Sequence, residues 1–337
     1  MGTGLAATGV VWLGVGLAIG GGGQAPAGQS RADAAITPRV TVDADRLMDV
    51  VRELASAEYQ GRRTGSAGHA RARAFIERRF RQAGLQPVGR RFAQPFSLSA
   101  PGSRAEATGG ASLLDAGALE GVNVVGLCPA ETPEAPYLLV GAHYDHLGTR
   151  DGVVYPGADD NASGIAVLLA LAETCGHVTR RHTLVIVGFD AEELGLAGAR
   201  ALVAEPVVPL DELRLMVNLD MVGRNERAEL FAAGLSHAPR LAPILERVRA
   251  RAPLTLRFGH DTPGPPGYDW THLSDHGPFH DAGVPFVYFG VEDHRDNHQP
   301  TDTADRIDAA FLRDAAITIL DAIDELDSEP APRVRSK

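Results

Sequence analysis

Five short segments of the sequence carry side chains that can bind metal ions. In chain order they are GAHYDHLG with His143, GADDNASG with Asp159, DAEELG with Glu192 and Glu193, NLDMVG with Asp220, and DNHQPTDT with His298. Imidazole nitrogens and carboxylate oxygens are ligands that zinc takes in proteins. Two histidines and three or four carboxylates are the donors that a pair of zinc ions sharing one carboxylate requires. The sequence therefore predicts a site for two zinc ions.

Each segment taken singly has a second interpretation. Asp159 and Asp160 could cap the helix that follows them, and Glu192 and Glu193 could stabilise a helix N-terminus through its dipole. His298 lies in a polar loop and could simply face solvent. Adjacent carboxylates after an apolar segment are nevertheless easier to explain when a cation neutralises one of them. Because five such signals would all have to be coincidental, we favour the metal site.

The spacing within the segments suggests separate roles for neighbouring residues. Two adjacent carboxylates point in different directions, so one glutamate can bind a metal ion while the other takes a proton from water. Asp145 lies two residues after His143, where it can accept a hydrogen bond from the ring nitrogen that does not bind metal. Asp220 ends an apolar segment, where an unpaired carboxylate would be costly.

Hydrophobic periodicity predicts the elements that must position these residues. Strands are predicted at 91–99, 121–127, 137–142, 182–189, 213–219, 254–258 and 284–289. Helices are predicted at 45–57, from the cap Ser66 to a stop at Gly84, and at 161–175, 197–204, 239–250 and 304–326. This alternation predicts an α/β fold with an open sheet. Every candidate ligand except His298 follows a strand or begins a helix, which is where such sheets place their ligands.

Composition limits the alternatives. A chain of 337 residues with 44% apolar and 22% charged residues can form one large α/β domain. A net charge of −11 argues against a nucleic-acid partner, which would need clustered basic residues. The two cysteines, Cys128 and Cys175, could form a disulfide in an exported chain or remain as two buried thiols.

The N-terminal region predicts export. Residues 1–24 contain no charged side chain, and an apolar run at 10–19 is followed by glycines and the small residues of 25–27. We predict a signal peptide or N-terminal anchor at 1–27, a linker at 28–41, the metal-binding domain at 42–328 and a tail at 329–337. The protein is then periplasmic, extracellular or membrane-anchored, and it contacts a membrane only where the N-terminal segment is not cleaved.

The order of these motifs resembles that of the two-zinc aminopeptidases of peptidase family M28, in particular the bacterial secreted type. The resemblance spans residues 45–326 and includes GRRTGSAGHARARAFIERRFRQAGL and SDHGPFHDAGVP. It implies a single α/β domain of the zinc-dependent exopeptidase type, with a central, mostly parallel but mixed β-sheet flanked by helices.

The resemblance also implies a role for each candidate residue. His143 and Asp220 would bind one zinc ion, Glu193 and His298 would bind the other, and Asp159 would bridge the two. Glu192 would be the general base. The substrates would be peptides with a free N-terminus, from which the enzyme would remove the first residue.

One departure from the family pattern concerns the group that stabilises the developing oxyanion. Several relatives have tyrosine before the last ligand, where this chain has Asn297. Asn297 itself or Tyr268 could supply the hydrogen-bond donor. Asp275 and His276 are candidates to support His298 without binding metal. A further group of residues beside the ligands could take a ligand role, namely His146, His294 and Asp302.

Other functions remain possible for the same motifs. A carboxypeptidase, or a hydrolase of amides that are not peptides, would differ only in the lining of the pocket. A glutaminyl cyclase, which is an acyltransferase, would resemble this fold but work with one zinc ion and without the first ligand histidine. A metal-free receptor domain on this fold would be expected to have lost ligands, and here every ligand position is filled.

Overall fold

The computed structural model describes residues 42–98 and 120–329. The predicted signal peptide or anchor, the predicted linker and residues 330–337 of the predicted tail lie outside the described residues. Among the helices of these two ranges, none combines the length and the apolar character needed to cross a membrane.

Seven α-helices occur in the described ranges. They are α1 (Ala44–Leu54), α2 (Ala67–Gln82), α3 (Gly164–Glu173), α4 (Ala197–Ala204), α5 (Ala242–Arg249), α6 (His276–Asp281) and α7 (Ala309–Ser328). Side-chain caps fix where some of them begin. Ser66 accepts a hydrogen bond from the backbone of His69 at the start of α2, as the sequence predicts. Asp308 does the same for α7, which therefore begins at Ala309 rather than near Ala304.

Nine strands form one mixed sheet within the described residues. The strands of the chain are β1 (Gln86–Pro87), β2 (Ala93–Ser97), β3 (Glu120–Cys128), β4 (Tyr137–His143), β5 (Gly148–Arg150), β6 (Val153–Tyr155), β7 (Thr183–Phe189), β8 (Leu213–Leu219), β9 (Glu229–Ala233), β10 (Thr255–Phe258) and β11 (Phe286–Gly290). The sheet order is β1-β3-β7-β4-β8-β11-β9-β10, and β2 also pairs with β3. Strands β5 and β6 form a separate hairpin.

The centre of the sheet is parallel. Strands β7, β4, β8 and β11 are neighbours and run in the same direction, whereas β3 and β9 pair with this group in the antiparallel sense. Because these four parallel strands end on the same edge, the segments that follow them meet there. The prediction of an α/β fold with a mostly parallel, mixed sheet flanked by helices is confirmed.

Two apolar cores hold the helices against the sheet. The larger core packs α1, α2, α3, α5 and α7 on one face, with side chains such as Val51, Ile76 and Leu245. The smaller core packs α4 and α6 on the other face through Leu202 and Phe279. Each fully buried side chain of this size contributes about 1.5–3 kcal/mol, so the sheet edge is held on a rigid base.

Several short elements are absent from the sequence-based prediction. Strand β9 lies between the predicted strand at 213–219 and the predicted helix at 239–250, where periodicity predicts no element, and its five residues are all buried. Helix α6 has only six residues, including Gly277 and Pro278, so periodicity cannot reveal it. The helix predicted from Asn161 begins at Gly164, after an irregular turn at Ala158–Ser163.

The two cysteines are paired. Cys128 at the end of β3 is joined to Cys175 after α3, with their Cα atoms 5.6 Å apart. Of the two possibilities that the sequence leaves open, the structure has the disulfide. It ties the antiparallel side of the sheet to a helix that follows one of the metal-binding motifs.

Candidate metal centre

The candidate ligands converge at the carboxyl edge of the parallel strands. His143 is the last residue of β4, Glu193 follows β7 and Asp220 follows β8. Asp160 comes from the irregular turn before α3, and His298 comes from the loop after β11. Residues separated by more than 150 positions in sequence thus meet because their strands end side by side.

The first donor group consists of His143, Asp160 and Asp220. His143 Nε2 lies 3.2 Å from Asp160 Oδ1 and 3.2 Å from Asp220 Oδ1, and all three side chains are buried. One N–H cannot donate well to two carboxylates at once. At zinc bond lengths of about 2.0–2.2 Å, tetrahedral ligands lie roughly 3.3 Å apart. The observed spacing therefore suits a zinc ion.

The second donor group surrounds the other oxygen of Asp160. His298 Nε2 lies 3.1 Å from Asp160 Oδ2 and 3.4 Å from Glu193 Oε2. His146 also joins this group, because its Nδ1 lies 2.7 Å from Glu193 Oε1 and 3.7 Å from Asp160 Oδ2. Asp160 thus directs one carboxylate oxygen into each group, which is the arrangement that two ions sharing a carboxylate need.

Asp159 differs from the role that the resemblance implies. Its Oδ1 accepts a hydrogen bond of 2.7 Å from the backbone N–H of Gly223, and its Oδ2 lies 2.9 Å from His294 Nε2. The next residue, Asp160, is the one whose two carboxylate oxygens face the two donor groups. Neighbouring residues in an irregular turn point in different directions, and the letters DD do not reveal which one faces the centre.

Asp302 shapes the turn that carries Asp160. Its carboxylate accepts hydrogen bonds from the backbone N–H groups of Asp159 at 3.0 Å and Asp160 at 3.1 Å. Burial, together with the nearby charge of Asp159, raises the pKa of Asp302 to about 6. Asp302 therefore supports the centre from behind and is not a member of either donor group.

Asp145 connects the β4 segment to the glutamate pair. Its carboxylate oxygens accept hydrogen bonds from the backbone N–H of Glu192 at 3.1 Å and of Glu193 at 3.3 Å. The nearest acceptor for His143 Nδ1 is the backbone carbonyl of Asp145 at 3.3 Å, and the carboxylate lies at 3.7 Å. Asp145 thus holds both glutamates in place, a role that the sequence alone did not reveal.

A buried arginine clamps the same loops from the other side. The Arg62 guanidinium is fully buried and donates hydrogen bonds to the backbone carbonyls of Leu54, Tyr144, Pro156 and Gly157 at 2.6–2.9 Å. Tyr144 lies beside His143, and Gly157 begins the turn that carries Asp160. Arg62 belongs to the GRRTGS segment, which contributes to the family resemblance but carries no sequence signal of a link to the metal site.

The two adjacent glutamates have opposite proton affinities. Burial raises the pKa of Glu192 well above its usual value, and the charges of Glu193 and Asp220 add to this effect, although His143 opposes it. Burial and Asp160 would also raise the pKa of Glu193. The contacts of Glu193 with His146 and His298 outweigh these two effects and lower the pKa of Glu193 to about 2. Glu193 is therefore a charged ligand candidate, while Glu192 is poised to take up a proton.

The histidines of the centre respond to the same carboxylates. Contacts with Asp160 and Glu193 raise the pKa of His298 to about 11. Burial lowers the pKa of His143, but Asp220 and Glu192 outweigh burial and raise it well above its usual value. The carboxylates thus favour a positive charge at both histidines. Protons and metal ions would therefore compete for the same ring nitrogens.

Asp275 and His276 lie near the centre but do not support His298 through any contact found in the described residues. Asp275 is fully buried with both carboxylate oxygens unpaired, and burial raises its pKa well above the usual value. His276 Nε2 donates to the backbone carbonyl of Trp270 at 2.8 Å, and its ring packs against Tyr288. Burial lowers the pKa of His276 to about 3, so its ring is neutral.

The two candidates for the oxyanion donor are placed differently. Asn297 is partly buried next to His298, and its Oδ1 has no hydrogen-bond partner. Tyr268 is 40% exposed, and its ring lies 4.8 Å from that of His260. Of the two, only Asn297 is adjacent in sequence to a candidate ligand, His298.

Donors of this kind at the carboxyl edge of an α/β sheet are typical of zinc-dependent hydrolases. The model of peptidase family M28 matches residues 123–323, more than half of the chain. The chain therefore belongs to peptidase family M28.

Similar proteins carry related names. Aminopeptidase YwaD of Bacillus subtilis is 29% identical over 228 residues, which are 64% of this chain and 47% of that protein. A probable zinc metalloprotease of Pyrenophora tritici-repentis is 41% identical over 104 residues, which are 30% of this chain and 23% of that protein. The chain thus spans less than half the length of these two relatives.

Solved structures share the fold. An aminopeptidase from Aneurinibacillus sp. strain AM-1 matches with a TM-score of 0.66 at 19% identity, covering 88% of this chain and 96% of that one. A glutaminyl cyclase from an Acidobacteriales bacterium matches with a TM-score of 0.65 at 21% identity, covering 89% and 99%. Likeness at these identities concerns the fold, and both activities occur on it.

Proposed function

We propose that the protein is a two-zinc aminopeptidase that removes the first residue of peptides with a free N-terminus. The observation that carries this proposal is the position of Asp160, which directs one oxygen into each of two donor groups. His143 and Asp220 complete the first group, and Glu193 and His298 complete the second. This ligand set replaces Asp159 with Asp160 and otherwise follows the family resemblance.

The donor types and their spacing fit zinc. Each group combines imidazole nitrogen with carboxylate oxygen, and the distances of 3.1–3.4 Å between donor atoms match tetrahedral coordination. When bound, two such ions would lower the pKa of a water molecule and polarise the scissile carbonyl.

Glu192 is the proposed general base. It lies next to the ligand Glu193 but belongs to neither donor group within the described residues. Burial raises its pKa, so its carboxylate can take a proton from water and pass it to the leaving amine. The Asp145 carboxylate orients Glu192 by accepting a hydrogen bond from the Glu192 backbone N–H. The mechanism requires no covalent intermediate.

Selection of the N-terminus is supported by similarity to other proteins. Several similar proteins, including YwaD, bear the name aminopeptidase. These names favour an aminopeptidase over a carboxypeptidase.

Three versions of one peptide test the selection directly. The zinc-loaded protein is incubated with the unblocked, the N-acetylated and the C-terminally amidated peptide, and products are identified by mass. We expect release of the first residue from the unblocked and amidated peptides and no cleavage of the acetylated one. Cleavage that survives acetylation but fails on amidation would instead indicate a carboxypeptidase.

A glutaminyl cyclase is the second candidate, because a solved cyclase shares this fold over 89% of the chain. Peptides beginning with glutamine separate the two reactions, since a cyclase releases ammonia and leaves a pyroglutamyl peptide while an aminopeptidase releases free glutamine. Metal analysis of the same sample should give two zinc ions per chain. One zinc ion together with ammonia release would identify a cyclase.

Export is proposed on the same basis. The Cys128–Cys175 disulfide supports folding in an oxidising compartment, since cytosolic thiols are kept reduced. Together with the predicted leader at 1–27, it favours a protein that acts outside the cytoplasm. Cell fractionation and mass analysis of the mature N-terminus test this, and a reduced, full-length protein in the cytosol would contradict it.

A further inference from the structure

His146 is a buried side chain of the second donor group that the proposed ligand set leaves unused. Its imidazole is 1% exposed, and neither ring nitrogen has a hydrogen-bond partner. Nδ1 nevertheless lies 2.7 Å from Glu193 Oε1, which is itself buried without a hydrogen-bond partner. The geometry of this contact is not that of a hydrogen bond. Two buried polar atoms left in this state are costly unless a third species satisfies both.

The direction of His146 Nδ1 coincides with the second donor group. Besides Glu193, it faces Asp160 Oδ2 at 3.7 Å, and that oxygen also faces His298 Nε2 at 3.1 Å. The rings of His146 and His298 lie 5.9 Å apart at a tilted angle, so their nitrogens approach the same carboxylates from different sides. A cation among these atoms would satisfy Nδ1 and Oε1 together.

The surroundings of His146 hold its ring in this position. A Cβ atom on Gly157 would come within 2.5 Å of the imidazole, so the backbone itself packs against the ring. Arg62 holds both His146 and Gly157. The Arg62 backbone carbonyl accepts a hydrogen bond from the His146 backbone N–H at 3.4 Å, and the Arg62 guanidinium donates one to the Gly157 carbonyl at 2.8 Å. A ligand held by packing on both sides needs no rearrangement to bind.

We propose that His146 Nδ1 is a further ligand of the second metal ion, beside Asp160, Glu193 and His298. The inference rests on the proposed two-ion function and adds a sixth residue to the five of that ligand set. The second ion then has four protein donors and the first has three. Four protein donors are typical of closed zinc sites, so the second site should retain its ion more tightly than the first.

Two variants and one control test this role. His146→Ala removes the donor. His146→Asn places an amide oxygen the same number of bonds from the backbone as Nδ1. This variant also tests the role of His146 if the alanine variant does not fold. His177→Ala changes an exposed histidine in the turn after α3 and serves as the matched control. Zinc affinity is measured by competition with a chelator, and the coordination of Co²⁺-substituted protein by its visible absorption.

We expect His146→Ala to bind one of its two zinc ions at least tenfold more weakly than wild type, with the other ion unaffected. The Co²⁺ absorption of one equivalent should change, because that ion loses a ligand, whereas loss of a hydrogen bond to Glu193 alone would leave its coordination unchanged. His146→Asn should recover part of the affinity, and His177→Ala should match wild type.

Two different results would overturn the ligand role of His146. Wild type with two ions, and a His146→Ala variant with both affinities within twofold and an unchanged Co²⁺ spectrum, would refute the ligand role of His146 and leave the proposed function standing. A wild type that binds one ion or none would refute the proposed function itself and this inference with it.

Discussion

Two pairs of adjacent carboxylates divide their roles by direction. In the first pair, Asp160 faces the donor groups while Asp159 bonds to Gly223 and His294. In the second pair, Glu193 joins a donor group while Glu192 keeps a raised pKa. The sequence predicted that each pair would contain a ligand because the residue types are right. It could not select the member in the first pair, since direction is set by an irregular turn and not by composition.

The Asp160 assignment can be tested against its neighbour. Asp160→Asn removes charge from the shared oxygens, so we expect both zinc affinities to fall by more than about 100-fold, beyond the 10- to 100-fold typical of losing a supporting residue. Asp159→Asn can still accept from Gly223 and should retain both ions. Metal analysis after dialysis against a chelator measures this. If Asp159→Asn instead lost its zinc ions while Asp160→Asn retained them, Asp159 would be the bridging residue.

The role of Glu192 predicts a separation of metal binding from catalysis. Glu192→Gln keeps the shape of the side chain but cannot accept the proton, so kcat should fall by about 100- to 10,000-fold with two zinc ions still bound. Steady-state kinetics on an unblocked peptide and metal analysis give both quantities. Glu205→Gln, at an exposed position after α4, is the control. A variant with two ions and nearly normal kcat would exclude Glu192 as the base.

At the scale of elements, the turn before α2 does more than connect two helices. Gly61 has φ of +67°, and a Cβ atom there would meet the backbone oxygen of Tyr155 at 2.3 Å. This tight passage brings the Arg62 guanidinium beneath the loops of the metal centre. Hydrophobic patterns predicted the flanking helices correctly, because those helices bury apolar faces. They could not predict the clamp, which depends on hydrogen bonds to distant carbonyls.

Removal of the clamp should destabilise the fold. Arg62→Met leaves three buried carbonyls and one partly buried carbonyl without their donor. Each unpaired buried group costs about 1–3 kcal/mol, so we expect a loss of at least about 3 kcal/mol. Arg62→Lys should lie between this variant and wild type. Urea unfolding of the metal-free protein measures the loss. Arg52→Met, at an exposed position on α1, should change stability by less than about 0.5 kcal/mol, and equal effects at both sites would contradict the clamp.

Helix α6 contributes a pH dependence through His276. Burial lowers its pKa to about 3, so the folded protein keeps the ring neutral while the unfolded chain protonates it below about pH 6.5. Stability from this residue is complete above pH 6.5 and is lost as the pH falls towards 3, by up to about 1.4 kcal/mol per pH unit. His276→Phe should flatten the fall of the melting temperature between pH 6 and 4. An unchanged slope would contradict the assignment.

At the scale of the whole molecule, the sheet order explains why a distributed motif becomes one site. The strands β7, β4, β8 and β11 are neighbours but not in chain order, and their shared direction places the segments after them on one edge. The sequence predicted this edge from the strand ends alone. It missed β9 and α6, because five or six residues carry too little periodicity, and α6 also contains glycine and proline.

The disulfide should stabilise the molecule as a whole. The Cys128–Cys175 bond closes 47 residues, and loop-closure entropy for that length corresponds to about 4 kcal/mol. We expect reductant to lower the free energy of unfolding of the wild type by an amount of this order. The double variant Cys128→Ser and Cys175→Ser should show the lower value with or without reductant. A wild type insensitive to reductant during unfolding would indicate that the bond contributes little.

The Asp302 carboxylate accepts hydrogen bonds from the backbone N–H groups of Asp159 and Asp160, and so ties an early part of the centre to one of its last. While the ribosome is still making this chain, the turn has no partner until residue 302 has emerged, and His298 emerges only just before it. An unfinished chain that ends before residue 298 therefore lacks His298 from the second donor group. The proposed activity would thus arise only once this late segment of the chain has been made.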